Sequence, residues 1–192
     1  MILRSIALSL LLLGTVAAAE PTVRVQTSLG AFDVALDAAH APQTVANFLH
    51  YVAAGRYADG LFHRTVTLQP DNQPGNAIKI EVIQGGVNPA KASGDRAPIP
   101  LERTRDTGLK HRDGTISMAR DGPDTATSDF FICVGDQPEL DFGGRRNADG
   151  QGFAAFGRVI RGLDIVCRIQ RAPADGQKLT PPVRIDSISL LP

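Results

Sequence analysis

Residues 114–134, GTISMARDGPDTATSDFFICV, contain two short strand patterns separated by a connection rich in Gly, Pro, Asp and Thr. Ile116 and Met118 alternate with polar neighbours, which predicts a half-buried β-strand. The mostly apolar run at 129–134 predicts a second and more deeply buried strand. If the two strands are neighbours in the fold, their apolar side chains can line one pocket together with Phe153.

Further strand patterns occur on both sides of this stretch. Alternation around Gly30 predicts an opening hairpin. Other alternating or apolar stretches predict strands at 78–82, 153–159 and 183–190. In the last of these the alternation changes phase, which predicts a β-bulge near Asp186.

Two helical patterns interrupt the strands. Pro42 suits a first helical position, and apolar residues then follow helical spacing until Gly55. A shorter apolar stripe at 163–169 ends before Pro173. Many strands, few helices and no regular strand–helix alternation predict a mainly-β fold, with a closed or nearly closed antiparallel sheet whose open ends are covered by helices.

The N-terminal segment has the pattern of an export signal. Arg4 supplies a short positive region, residues 6–13 are almost wholly apolar, and three alanines end at Ala19. The apolar run is shorter than the about 20 residues that a membrane anchor needs. We therefore expect residues 1–19 to be a cleaved signal peptide and residues 20–192 to form a single domain. The mature protein is expected to be periplasmic or secreted, with no membrane segment.

The charge balance and the cysteines limit the classes of partner. The chain has 20 basic and 20 acidic residues, and this balance argues against a nucleic-acid partner or an anionic membrane surface. Cys133 and Cys167 match no metal-binding spacing. In an exported chain they are compatible with a disulfide or with two buried thiols, and the sequence leaves both possibilities open.

The motifs of common catalytic and cofactor sites are absent from the sequence. It contains no nucleophile elbow, phosphate-binding loop, dinucleotide fingerprint or zincin histidine pair. Residues 147–151 superficially resemble a calcium loop, but Arg158 stands where the bidentate Glu is required, so this stretch is interpreted as a turn. We therefore expect neither a metal nor another cofactor.

One cationic side chain remains in an apolar setting. Phe62-His63-Arg64 leads into a predicted strand, and the apolar residues of the later strands are candidates to lie beside it. On these residues alone, Arg64 is either the polar group of a binding groove or a surface arginine beside core aromatic residues.

The ordered motifs of the chain resemble the cyclophilin family over nearly its whole mature length. Their common order is far more specific than any one of them. The matching stretches are APQTVANF at 41–48, FHR at 62–64, IQGG at 83–86, LKH at 109–111, GTISMA at 114–119, GP at 122–123, SDFFI at 128–132 and GFAAFGRV at 152–159.

The resemblance implies a closed eight-stranded antiparallel β-barrel capped by two α-helices. It also implies peptidyl-prolyl cis-trans isomerase activity on proline-containing polypeptides, with Arg64 as the catalytic residue; we expect a monomer. The implied substrate-binding residues are Val82 and Gln84 in the groove, Ala119, Arg120 and Asp121 as a backbone wall for the residue before proline, Asp129 beside the peptide path, and Phe131, Leu140 and Phe153 as the proline pocket.

The chain departs from the family pattern at several positions. Between Arg64 and Gln84 lie 19 residues, a longer stretch than in compact members, and this insertion either contacts the groove or is a solvated decoration. Asp129 replaces a Gln, which adds negative charge near the peptide path. Glu81 replaces a groove Phe, so the hydrophobic floor is expected to be thinner. Phe153 replaces a His.

Two alternative functions follow from these departures. The altered groove at Glu81 and Asp129 favours a cyclophilin-like chaperone that binds proline-containing peptides with little isomerase activity. An unrelated exported carrier of small ligands, such as a lipocalin-like barrel, fits less well because it is built from a regular succession of hairpins.

Overall fold

The computed structural model describes residues 20–192, so the predicted signal peptide at 1–19 lies outside the described residues. Within these residues, the regular structure consists of nine strands, three α-helices and two short 3-10 helices at Pro89–Gly94 and Pro138–Leu140. The strands are β1 (Thr22–Thr27), β2 (Gly30–Leu36), β3 (Gly60–Val66), β4 (Val82–Gly86), β5 (Thr115–Met118), β6 (Phe130–Cys133), β7 (Ala155–Arg161), β8 (Ala174–Asp175) and β9 (Lys178–Leu190). The helices are α1 (Pro42–Ala53), α2 (Thr104–Thr107) and α3 (Leu163–Gln170).

Eight of the strands form a closed antiparallel barrel. Their order is β1-β2-β7-β5-β6-β4-β3-β9, and pairing of β9 with β1 closes the ring. The two-residue β8 pairs only with the start of β9 among the described strands. The predicted closed eight-stranded barrel is therefore confirmed. The predicted bulge is also confirmed, because Gln26 pairs with Ser187 and Thr27 pairs with Ile185, which leaves Asp186 without a partner on β1.

The prediction of two helices is incomplete. Both predicted helices are present as α1 and α3, but the connection at 88–112 also contains the single turn α2, which ends at Gly108 in the left-handed conformation (φ 76°). A four-residue helix carries no apolar periodicity, so the sequence pattern could not reveal it. The predicted strand at 78–82 is displaced along the chain, since the observed strand β4 begins only at Val82 and continues to Gly86.

Most of the apolar side chains fill the barrel interior. Phe48 of α1 packs against Phe130 in an edge-to-face arrangement, with the ring centroids 5.6 Å apart, and Phe62 meets Phe130 at 5.7 Å. Val166 of α3 belongs to the same cluster. Each of these side chains is fully buried, so the helices and the strands share one hydrophobic core.

A second and smaller apolar cluster lies on the outer face of β4 and β6. It arises because successive side chains of a strand point to opposite faces, so Phe130 enters the core while Phe131 points outward. The cluster comprises Val66, Ile80, Val82, Phe131, Cys133 and Leu140, with Ala119 and Phe153 packed against it. The site described below lies over this apolar cluster on the outside of the barrel.

The cysteines are not joined. Cys133 is buried within β6, whereas Cys167 on α3 is only half-buried, and both thiols are free. Of the two possibilities left open by the sequence, the disulfide is excluded, and only one of the two thiols is buried. Among the helices of residues 20–192, none is long and apolar enough to cross a membrane.

Candidate active site

A solvent-facing cleft lies over the outer apolar cluster. It is open to solvent and has a volume of about 530 Å³. All ten residues to which the resemblance assigned a role line this single cleft, although their sequence positions run from 64 to 153. The structure therefore brings the predicted residues together, and their individual roles stay predictions.

Arg64 lies on β3 at the polar edge of the cleft and is held by two glutamine side chains. Its Nη1 donates to Oε1 of Gln84 at 2.8 Å. Its Nε and Nη2 both donate to Oε1 of Gln177, at 2.9 Å and 2.7 Å. Burial, and to a smaller extent the positive charge of Arg146, lower the pKa of Arg64, but an arginine stays protonated at neutral pH. The guanidinium is thus a fixed cation whose hydrogen bonds go to neutral acceptors.

Beside Arg64 the cleft has an aromatic wall suited to an apolar ring. The rings of Phe131 and Phe153 meet edge to face, with centroids 5.2 Å apart. Leu140 and Val82 are both nearly buried next to them. This arrangement presents a concave apolar surface within the cleft that contains a charged hydrogen-bond donor, a combination that fits a proline ring and its amide nitrogen.

Arg120 braces the aromatic wall from behind. Its side chain is only 1% exposed, and the guanidinium carbon lies 5.0 Å from the centroid of the Phe153 ring. It donates to the carboxylate of Asp149 at 2.8 Å and 3.0 Å and to the carbonyl oxygen of Gly152. The side chain of Arg120 therefore fixes the loop that carries Phe153, while Ala119 and Asp121 form the adjacent rim.

A buried polar chain lies under Phe131 and has the connectivity of a hydrolase triad. His111 Nδ1 is 2.8 Å from Oδ1 of Asp141, and its Nε2 is 3.0 Å from Oγ of Ser117. Ser117 is fully buried and His111 is 1% exposed, so no substrate carbonyl can reach the hydroxyl. The imidazole instead stacks on Phe131 with an interplanar angle of 14°, and its role is structural.

Asp129 lies at the end of the cleft near Ala119. Its backbone carbonyl accepts a hydrogen bond from the amide of Ala119 at 2.9 Å, and its Oδ2 lies 3.5 Å from Nε2 of Gln84 and 3.7 Å from Nε2 of His63. Burial raises the pKa of Asp129, and the proximity of His63 opposes that rise. The carboxyl group of Asp129 therefore lines the cleft, as the resemblance implied.

The expectation for Glu81 is wrong. Glu81 directly precedes β4 and does not line the cleft, because its side chain lies on the other side of the extended chain, where its Oε1 is 3.3 Å from Nε2 of Gln170. Because side chains alternate along an extended chain, the cleft receives Ile80 and Val82 instead. The hydrophobic floor is thus intact, and Glu81 no longer argues for a weakened groove.

The insertion between Arg64 and Gln84 packs against the site. Gln73 is fully buried, and its amide bonds to the carbonyl oxygens of Thr67 and Ile80 at 3.1 Å and 2.9 Å. The carbonyl oxygen of Asn72 accepts a hydrogen bond at 3.0 Å from Nε2 of Gln177, the residue that holds Arg64. The insertion is therefore an anchored part of the site and not a solvated decoration.

Sequence reasoning missed several residues of the site. Ile80 had a usable signal, since it alternates with Val82 and Gln84 and shares their face. Gln177 had none, because only the barrel closure places it next to Arg64. The other missed residues lining the cleft are Asn76, Thr125, Thr127, Arg146 and Asn147. Within residues 20–192, no group of three or more His, Cys, Asp or Glu side chains is placed to hold a metal ion.

Comparison with known proteins agrees with this geometry. The family described as "Cyclophilin type peptidyl-prolyl cis-trans isomerase/CLD" matches residues 22–190. Peptidyl-prolyl cis-trans isomerase A of Dickeya dadantii is 36% identical over 154 residues, which cover 80% of this chain and 73% of that protein. Peptidyl-prolyl cis-trans isomerase B of Escherichia coli is 37% identical over 132 residues, covering 68% of this chain and 72% of that protein.

A solved structure shows the same fold. The crystal structure of a cyclophilin-type peptidyl-prolyl cis-trans isomerase from Cryptosporidium parvum superposes with a TM-score of 0.72 at 26% sequence identity. The match covers 90% of this chain and 98% of that chain. A second structure of that protein, in the presence of the dipeptide Ala-Pro, superposes with a TM-score of 0.71. The family match over nearly all of the described residues, the curated relatives and the shared fold agree, and the chain belongs to the cyclophilin-type peptidyl-prolyl cis-trans isomerases.

Proposed function

We propose that this isomerase acts on X-Pro bonds of polypeptides that fold after export, and that Arg64 is its catalytic residue. One observation carries the proposal: the Arg64 guanidinium is fixed at the edge of the apolar wall formed by Phe131, Leu140 and Phe153. A proline ring on that wall lies next to the donor that its nitrogen needs. A relative crystallised in the presence of Ala-Pro supports proline-containing peptides as ligands.

The chemistry follows from the electronic structure of the amide. Resonance of the nitrogen lone pair gives the C–N bond partial double-bond character and a rotation barrier of about 18–20 kcal/mol. At the top of that barrier the bond is twisted, the prolyl nitrogen is pyramidal, and its lone pair is available to accept a hydrogen bond. A donor at this nitrogen therefore stabilises the transition state more than the planar ground state, which is the requirement for catalysis.

Arg64 has N–H groups that its hydrogen bonds within the protein do not use. A guanidinium carries five N–H groups, and the bonds to Gln84 and Gln177 use one each from Nε, Nη1 and Nη2. One N–H on each terminal nitrogen remains for the substrate. No proton is transferred in the rotation, so neither a general base nor an activated water is required.

The apolar wall supplies what the hydrogen bond alone does not. A hydrogen bond to a charged group is worth about 1.5–3 kcal/mol, which corresponds to roughly 10- to 150-fold in rate. Holding the proline ring against Phe131 and Phe153 while the preceding residue rests on the rim at Ala119 and Asp121 confines the motion to rotation about the amide. Both parts of the site are needed for efficient turnover.

The proposal is tested by measuring cis–trans exchange of a proline tetrapeptide with the purified protein. We expect Arg64→Ala to lose most of the turnover with its thermal stability little changed, and Arg64→Lys to recover only part, because Lys lacks the planar fork. Arg158→Ala, an exposed arginine outside the cleft, is the matched control and should behave as wild type. Unchanged turnover in Arg64→Ala would overturn the assignment of Arg64. A wild type that binds the peptide without catalysing exchange would instead support the chaperone alternative.

The export context has its own test. The basic residue, apolar run and alanine cleavage site at 1–19 support secretion through the cell membrane. N-terminal sequencing of the protein recovered from the periplasm or medium of a bacterial host should find Glu20 as the first residue. Recovery of uncut protein from the cytoplasm would contradict the proposal. Sedimentation of the mature protein should give the mass of a monomer.

A further inference from the structure

The two ends of the cleft carry opposite charge. At one end, near the rim residue Ala119, lie the carboxylates of Asp121 and Asp129. Toward the other end lies Arg146, whose charge also acts on Arg64. A ligand that spans the cleft therefore meets negative charge on one side of the proline pocket and positive charge on the other.

Arg146 is fixed in the cleft by the insertion and has donors left for a ligand. Its Nη1 donates to Oε1 of Gln73 at 3.1 Å and to the carbonyl oxygen of Ile78 at 2.6 Å. Within the described residues, both side-chain hydrogen bonds found for Arg146 are donated by Nη1. The N–H groups of Nε and Nη2 are therefore available to a ligand. Its neighbour Arg145 differs, since that side chain is 73% exposed, pairs with Glu139 and does not line the cleft.

The position of Arg146 corresponds to the part of the substrate that follows proline. Ile80, Val82 and Gln84 succeed each other along the cleft, and four residues of extended chain span about 13 Å. Gln84 lies at the Asp129 end, where the rim holds the residue before proline. Arg146 contacts the chain at Ile78, beyond Ile80 at the other end. A peptide whose proline lies on the aromatic wall therefore directs its next residues toward Arg146.

We propose that Arg146 is a specificity-determining residue that favours substrates with an acidic side chain one or two positions after the proline. The inference rests on the proposed function, because the direction of the peptide follows from placing proline on the aromatic wall and the preceding residue on the rim at Ala119. A carboxylate at that position pairs with the free nitrogens of Arg146 and offsets the repulsion between Arg146 and Arg64. Arg146 is half-buried, and a pair of this kind changes kcat/KM by about two- to fivefold.

The test compares two capped peptides, Ala-Ala-Pro-Glu-Glu-Ala amide and Ala-Ala-Pro-Gln-Gln-Ala amide, which differ only in charge after the proline. NMR exchange measurements at substrate concentrations well below KM give kcat/KM for each. We expect wild type to prefer the Glu peptide, Arg146→Gln to bring the ratio close to one, and Arg146→Lys to keep the larger part of the preference. Arg145→Gln is the matched control and should keep the wild-type ratio. Raising the ionic strength should reduce the ratio in wild type.

The outcomes separate this inference from the proposed function. A wild-type ratio of one or less, or a preference that persists in Arg146→Gln, overturns the role of Arg146 while the isomerase stands. If Arg146→Gln slows both peptides equally, Arg146 only supports the insertion, and the inference fails. If wild type accelerates neither peptide, the proposed function fails, and this inference fails with it.

Discussion

Gln177 offers a sharp test of how Arg64, the proposed catalytic residue, is positioned. Its Oε1 accepts hydrogen bonds from Nε and Nη2 of Arg64, and its Nε2 donates to the carbonyl oxygen of Asn72. Gln177→Met keeps the length of the side chain and removes both polar atoms. Arg64 then keeps only its bond to Gln84 and gains freedom to turn away from the prolyl nitrogen.

The expected loss can be worked from these contacts. Hydrogen bonds to a charged group contribute about 1.5–3 kcal/mol where water is excluded. Gln177 is half-buried, so water replaces part of the lost interaction, and we expect a transition-state cost of about 1–2 kcal/mol. That range corresponds to a fall of roughly 5- to 30-fold in kcat/KM. The fall should lie in kcat, because the apolar wall proposed to bind proline is unchanged.

A double-mutant cycle separates positioning from a general structural effect. If Gln177 acts only through Arg64, the substitution has no further effect on exchange in the Arg64→Ala background. Lys178→Met, an exposed neighbour, is the control and should keep wild-type turnover. The reasoning is refuted if Gln177→Met retains full activity, or if it slows wild type and Arg64→Ala by the same factor.

Three further predictions concern reactivity and stability. Burial raises the pKa of the Cys133 thiol far above its usual range. A thiol reagent should therefore label the half-buried Cys167 of the native protein and reach Cys133 only after unfolding. Rapid labelling of both cysteines would contradict the burial of Cys133. The carboxylate of Glu102 accepts hydrogen bonds from the first backbone amides of α1 at 3.1 Å and 2.8 Å. Glu102→Ala should therefore lower the free energy of unfolding by about 1–2 kcal/mol in urea titrations. An unchanged unfolding midpoint would show that the helix needs no such cap. The pKa of Asp33 is lowered, chiefly by the hydrogen bond from Arg24, so this carboxylate stabilises the fold above its unfolded pKa of about 3.9 and loses that contribution as the pH falls toward the folded value. Asp33→Asn should therefore lower the free energy of unfolding more at pH 7 than at pH 3. An equal loss at both pH values would rule this out.

The sequence carried most of the information on the elements and their faces. Alternation and helical spacing located α1, α3 and most of the barrel strands, and the change of phase near Asp186 located the bulge in β9. These signals are local, since each depends on which side of a single strand or helix is buried. The ordered family motifs then assigned ten residues to one site, and these residues do share one cleft.

Other features had no local signal. The one-turn helix α2 is too short to show an apolar periodicity. The expectation for Glu81 rested on its position in the family pattern, which does not report the face of the chain on which its side chain lies in this protein. The insertion also looked like an ordinary polar loop, although its buried Gln73 and the carbonyl oxygen of Asn72 tie it to the site.

Tertiary structure alone decided which residues besides Gln84 lie near Arg64. Gln177 is 113 residues away from Arg64 along the chain, and Arg146 reaches the insertion across 68 and 73 residues. Periodicity in a sequence reports which side of an element is buried, but it does not report which elements become neighbours when the sheet closes. Pairing of β9 with β3 places Gln177, because the register of these two strands determines which polar side chain arrives beside the guanidinium. Packing of the loop that carries Arg146 against the insertion places Arg146.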